Sequence, residues 1–260
     1  IRYYADDLLR RFRSRKMQEL GYDLINLEPG EDPDQKAAEV MEQMLSLRQE
    51  RDDWDKPLKA ALREMVENLD HRFQRQQQGQ SLGLPSGIRD LDMVTGGYVP
   101  GDLTVIGGRP AMGKTGFMLS GAYAQAKAGF RGGVISAEMN RVQLSTRLTA
   151  MDSGLDGSRF RNMAGWNEAD WEKLTLSTGR LAQMDVRIYD RPAPRISQVL
   201  AQARKWAWRE GIDILWVDYL TRLKADGGND RRDLDVGEMA RGLKTIAGEL
   251  GIPVVTLAHV

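Results

Sequence analysis

The stretch "GGRPAMGKTGFM", residues 107 to 118, decides how the rest of the chain is read. Gly108-Arg109-Pro110-Ala111-Met112-Gly113-Lys114-Thr115 satisfies the spacing G-x-x-x-x-G-K-[ST]. Glycines let a backbone curl until successive amide N–H groups point inward, and such a nest suits phosphate oxygens. A helix that follows aims its positive end at the same point. The spacing predicts a nucleotide site built from Gly108 through Gly116. In it Lys114 bridges the terminal phosphates of ATP, and the Thr115 hydroxyl is a ligand for Mg²⁺.

Outward from the loop, short apolar runs alternate with helical patterns. The runs are "DLTVIG" (102–107), "GGVISAE" (132–138), "MDVRIYD" (184–190), "IDILWVD" (212–218) and "IPVVTLA" (252–258). One helix follows Lys114. A second, "ISQVLAQARKWAWREG", places Ile196, Val199, Leu200 and Ala203 on one face, and a third, "VGEMARGLKTIAGELG", does the same with Met239, Leu243, Ile246 and Leu250. This alternation predicts an α/β fold with a parallel sheet and helical crossovers. Ligands of such sheets bind at the carboxyl ends of the strands. Asp218, at the end of "ILWVD", is placed there to orient Mg²⁺. Glu138, at the end of "GGVISAE", is a carboxylate that can polarise water or simply be solvated. Trp206 and Trp208 lie in a helical pattern and are expected to pack.

Residues 1 to 80 have a different texture. Tyr4, Leu8 and Phe12 step by one helical turn. "EDPDQKAAEVMEQMLSLRQ" opens with acids and Pro33, as helices do, and gathers Ala37, Val40, Met41, Met44 and Leu45 on one face. A further helix starts near Pro57 with Leu58, Leu62, Met65, Val66 and Leu69 at helical spacing. "RQQQGQSLGLPSG" then reads as a linker. These stripes have little of their own to bury them and are expected to pack on another domain or another chain.

The composition excludes several classes. Lys plus Arg number 37 and Asp plus Glu 37, so no overall field draws the chain to nucleic acid or anionic lipid, although local patches can. With no Cys there are no disulfides or thiolate metal sites, which fits a reducing compartment. His71 and His259 stand far apart in sequence, which argues against zinc. No apolar run approaches the roughly 18 residues a membrane span needs. The chain does not begin with Met and stops in an apolar run, so it is expected to be part of a longer protein.

The chain resembles the DnaB-like replicative helicase family, whose ATPase domain is RecA-like. The resemblance runs from about residue 84 to 260. It rests on "LPSGIRDLDMVTGGYVPGDLTVIGGRPAMGKT", "SAEMNRVQLSTRL", "DILWVDYL" and "LKTIAGELGIPVVTLAHV", in that order. It implies that Glu138 is the catalytic general base and that Asp218 belongs to the second nucleotide motif. His259 stands where the family usually has Gln, a sensor between the terminal phosphate and DNA-facing loops. It also implies that residues 1–50 are a helical hairpin ending an amino-terminal collar, 51–80 a linker helix docking on a neighbouring subunit plus a flexible linker, and 81–260 the ATPase domain.

The same resemblance implies a homohexameric ring that hydrolyses ATP while moving on single-stranded DNA. Primase and a helicase loader are its partners, in the cytoplasm of a bacterium or of the bacterial host of a phage or plasmid. An arginine from the adjacent subunit, beyond Val260 in the family pattern, completes the site, so this stretch alone is expected to bind nucleotide and hydrolyse it poorly. Lys224, Arg231 and Arg232, in the charged stretch 221–237, are candidate DNA contacts, with a solvated loop as the alternative. A RecA-like recombination or clock-type ATPase, and a nucleotide-gated ring scaffold with little turnover, are the competing readings.

Overall fold

Apolar residues on both sides of a strand demand cover on both sides, and the central strands of this chain are apolar throughout. The computed structural model describes residue 16 and residues 19–23, 32–49, 57–77, 83–226 and 232–259. Five strands form one parallel sheet: β1 (Leu103–Gly108), β2 (Gly132–Ser136), β3 (Val186–Tyr189), β4 (Ile214–Asp218) and β5 (Val254–His259). Their spatial order is β1-β5-β4-β2-β3. The expected runs become strands two to three residues shorter than the apolar pattern at most, because pairing stops where the chain turns out of the ladder.

The side-chain period of two sorts the core onto two faces. Val134, Ile214, Trp216, Val255 and Leu257 share one apolar cluster with Met118, Leu119 and Ala122 of α4 (Lys114–Lys127) and Leu144 of α5 (Arg141–Ser153). Ile135, Leu215, Val217 and Val254 share the other with α7 (Ile196–Arg209) and α8 (Arg232–Leu250), through Val199, Ala203, Leu243 and Ile246. Each large side chain buried this way contributes about 1.5–3 kcal/mol. This is the RecA-like α/β layering expected from the sequence, with helices on both faces.

α4 lies close on the sheet because residue 121 is glycine. A Cβ built there would stand 2.8 Å from the Trp216 ring. The Trp216 indole N–H donates to the buried Gln125 side chain at 2.9 Å, and Gln125 in turn donates to the Pro85 carbonyl at 2.8 Å. A polar side chain in the core is thus fully used, and it ties the segment ahead of β1 to the central strand.

Three helices escape the sequence reading: α3 (Arg89–Thr95), α5, and α6 (Glu168–Leu181). α5 has weak apolar periodicity, but both α5 and α6 have clear starts. Asn140 with Gln143, and Asn167 with Asp170, form reciprocal capping boxes. Trp208 corrects another expectation. Trp206 is buried, whereas Trp208 is 66% exposed, since the helical period turns it away from the sheet.

Contacts divide the chain into compact units at residues 1–71 and 72–260. In the first, α1 (Pro33–Gln49) begins at the expected proline, and Val40 buries against Leu20. α2 (Leu58–Gln77) begins just after Pro57. The division falls inside α2. Tyr4, Leu8, Phe12 and the stretch 78–82 lie outside the described residues, as do the side chains of Met44 and Leu45. No helix among the described residues is long and apolar enough to cross a membrane.

Candidate functional site

The strand order sets the chemistry in a row. Register pairs Gly108 of β1 with His259 of β5, and Ser136 of β2 with Asp218 of β4. Because β1, β5, β4 and β2 are consecutive neighbours, the phosphate-type loop, His259, Asp218 and Glu138 line up along the carboxyl edge. They border one cavity of about 460 Å³, lined from the loop by Pro110, Ala111, Gly113, Lys114, Thr115 and Gly116. Glu138, Asp218, Tyr219 and His259 line it from the strand ends, and Met139, Gln143 and Arg147 from the start of α5. Residues more than 100 positions apart in sequence therefore face a single space.

The loop curls as its composition predicts. Gly113 takes φ 83° and caps α4, a conformation that costs a residue without Cβ little. Ala111 also sits at positive φ, 62°, where its Cβ is crowded. The side chains of Arg109 and Met112 are exposed, and neither residue borders the cavity.

Lys114 opens α4 with its ammonium folded back over the loop. It donates to the Gly108 carbonyl at 2.5 Å and the Arg109 carbonyl at 2.8 Å, and lies 3.3 Å from His259 Nδ1. Lys114 is thus held by two loop carbonyls and faces the His259 ring. Tyr219 packs its ring edge against His259, with centroids 4.3 Å apart.

Thr115 follows on the first turn of α4 and donates its hydroxyl to Asp218 Oδ2 at 2.9 Å. Asp218 is only 2% exposed. Burial pushes its carboxyl above the ordinary carboxylate range. The Thr115 hydrogen bond opposes that push and the negative charge of Glu138 adds to it. A hydroxyl and a carboxylate side by side are hard oxygen donors, the set that suits Mg²⁺ completed by phosphate oxygens and water. Among the described residues no group of three or more His, Asp or Glu is gathered to hold a metal on protein ligands alone.

Sequence reasoning missed Gln143, Arg147 and Tyr219. The signal for the first two was present: a helix capped at Asn140 turns positions 143 and 147, one turn apart, to the same side. Tyr219 follows the acidic strand end and gave no signal of its own.

The charged stretch after β4 departs from expectation. The sequence predicts a loop over 221–237, but a 3₁₀ turn occupies Leu220–Arg222, and α8 already begins at Arg232, where Asp235 suits a first helical turn. Lys224 is exposed, and its backbone bridges to the start of α7, with the Ile196 amide donating to its carbonyl at 2.8 Å. Arg231 lies outside the described residues, and Arg232 is placed on helix, not loop.

The family model of the DnaB-like helicase C terminal domain matches residues 83–260. The replicative DNA helicase DnaC of Bacillus subtilis is 32% identical over 204 residues, covering 78% of this chain and 44% of the relative. The replicative DNA helicase DnaB of Rickettsia bellii is 33% identical over 211 residues, covering 77% and 40%. The chain spans less than half the length of these curated relatives. Among solved structures, an ATPase domain superposes with TM-score 0.72 at 26% identity, covering 79% of this chain and 72% of that one. A DnaB-like replicative helicase, described with its interactions with primase, superposes with TM-score 0.69 at 24% identity over 100% of this chain and 61% of that one, a likeness of fold.

Proposed function

Since the chain belongs to the DnaB-like helicase C-terminal domain family, we propose that it is the motor portion of a replicative DNA helicase, hydrolysing ATP to move on single-stranded DNA. The observation that carries this reading is the row of Lys114, Thr115, Asp218 and Glu138 around one cavity at the carboxyl edge of the sheet. ATP lies with its phosphates in the loop 108–116, against the backbone amides and the start of α4. The Lys114 ammonium exchanges part of its hold on the Gly108 and Arg109 carbonyls for phosphate oxygens. The Thr115 hydroxyl and ionised Asp218 would hold Mg²⁺, which would neutralise phosphate charge there. Glu138 takes the proton of the attacking water at its carboxylate.

His259 touches the same ammonium, so any shift of Lys114 toward phosphate is felt at the tip of β5. That is the part a sensor plays. In the complete protein the neighbouring subunit supplies a further cation, single-stranded DNA passes through a homohexameric ring, and primase and a loader engage the outside. Residues 1–50 act as the end of a collar, and α2 as the helix that docks between subunits. Lys224 and Arg232, with Arg231, are the DNA contacts proposed from this chain. The cellular setting is the bacterial cytoplasm.

The test is ATP hydrolysis by the complete protein with and without single-stranded DNA. Wild type is expected to be stimulated by the strand, and Glu138→Gln to lose about 10²–10⁴ in turnover while still binding nucleotide. Assembly with nucleotide but no turnover in wild type would replace the motor with a scaffold.

A further inference from the structure

The turn between β2 and α5 is tied down on both sides of Glu138. Going out from β2, the Ala137 amide donates to the Asp218 carbonyl at 2.7 Å. The Met139 amide donates to Oγ of buried Ser136 at 3.1 Å. The Asn140 amide donates to Gln143 Oε1 at 3.1 Å, one half of the capping box. The Arg141 amide donates to Asp190 Oδ2 at 2.8 Å. Among the described residues no side chain hydrogen-bonds or ion-pairs with the Glu138 carboxylate, so the backbone that carries Glu138 sets its place at the cavity.

The first three ties belong to the sheet edge, the turn and the helix cap. The fourth comes from outside. Asp190 directly follows β3, 49 positions on from Arg141. Arg141 also wraps it with its side chain: Nη2 donates to Oδ1 at 2.7 Å, and Nε to both oxygens at 3.1 Å. One carboxylate therefore receives the first amide of α5 and the guanidinium of the same residue. The guanidinium first, and the amide with it, hold the Asp190 carboxyl down at about 2, so the latch stays charged at neutral pH. Asp190 is 13% exposed and Arg141 71%. An ion pair that open adds little to stability, and what it fixes is geometry.

The body of α5 has supports of its own. Leu144 is buried in the core. At the far end, Asp152 accepts from the Tyr123 hydroxyl of α4 at 2.6 Å and from Arg180 of α6 at 2.6 and 3.0 Å. Arg147, which borders the cavity from the second turn of α5, rides on that body. The Asp190 latch thus bears on the turn with Glu138 more than on the helix.

We infer that Asp190, through Arg141, is a positioning residue for Glu138, fixing the outer end of the turn that holds this carboxylate at the cavity. This rests on Glu138 being the general base. A reacting group misplaced by about 1 Å can cost about 10²-fold in rate. Nucleotide affinity, set by the loop 108–116, need not change with it.

The experiment measures DNA-free ATP hydrolysis by the complete protein, so that any effect on DNA binding drops out, together with thermal unfolding. Asp190→Ala is expected to lower kcat about tenfold with KM within about twofold. Asp190→Asn, which keeps an oxygen for the Arg141 amide, recovers part of the loss. Asp152→Ala, which unties the far end of the same helix, is the control: it lowers the melting temperature and leaves kcat unchanged. Adding Asp190→Ala to Glu138→Gln costs little further, because the latch acts through the base.

Unchanged kcat in Asp190→Ala, a rise in KM alone, an equal loss of kcat in Asp152→Ala, or full additivity in the double variant would overturn the role of Asp190 and leave Glu138 standing. Wild-type turnover in Glu138→Gln would remove the base itself, and the positioning role with it.

Discussion

The cavity at the carboxyl edge and the surface of α2 treat their side chains in opposite ways. At the cavity, polar groups that would be costly to bury unpaired have partners within the chain. Thr115 bonds Asp218, Lys114 bonds two carbonyls and approaches His259, and Arg222 bonds Tyr219. On α2, Leu58, Leu62, Met65, Val66, Leu69 and Phe73 are each between 47% and 73% exposed. Apolar side chains at one helical spacing and in that number rarely face water in a lone soluble domain. The polar groups at the cavity are paired within the chain, whereas the described apolar side chains of α2 face solvent. In the ring proposed above, association would supply the partner for that helix.

The contrast breaks most visibly in the core. Leu243→Ala, beneath the sheet, is expected to cost about 2–5 kcal/mol of stability by opening a cavity. Leu62→Ala on α2 is expected to change the stability of a dilute single chain by less than about 0.5 kcal/mol and to weaken self-association instead. Thermal unfolding paired with sedimentation at several concentrations separates the two. Equal losses of stability from both substitutions would mean that α2 is buried within its own chain.

A smaller effect sharpens the pocket side. Asp218 has its protonation equilibrium raised by burial, so its ionised form is disfavoured in the fold. For a raised carboxyl the sign is fixed: stability is lost as pH rises from the ordinary carboxylate range through the raised value, and the loss is complete above it. Asp218→Asn should therefore stabilise the nucleotide-free protein at neutral pH and lose that advantage in acid. It should also abolish Mg²⁺-dependent turnover. Denaturant melts at neutral and acidic pH, without nucleotide, check it. A destabilised variant at neutral pH would mean that the carboxylate is well solvated.

The smallest effect is at the loop. Ala111→Gly relieves a left-handed backbone at a non-glycine position but adds freedom to the unfolded chain. The net gain is expected to be at most about 1 kcal/mol, seen as a small rise in melting temperature.

The pocket was legible because its parts carry chemical signatures. Lys114 and Thr115 are fixed by spacing from two glycines, and Asp218 ends an apolar run. Glu138 was ambiguous from its run alone, and the role proposed for it came from the family resemblance; the structure places it on the cavity. Arg147 and Tyr219 were invisible for different reasons. Arg147 needs the frame of α5, which has capping residues but scant apolar periodicity. Tyr219 becomes relevant only because β4 stands between β5 and β2. Trp208 was misjudged because two positions, roughly half a turn of helix, separate core from solvent.

The sequence by itself determined the five strands, the helices with clear apolar stripes, the alternation that makes the sheet parallel, and the curl of the loop 108–116, since each follows from local steric and hydrophobic periodicity. Only the tertiary structure decided which strand ends are neighbours. The order β1-β5-β4-β2 brings Gly108, His259, Asp218 and Glu138 into one row. It is set by packing both faces of the central strands at once, a condition on the whole chain that no local stretch can encode.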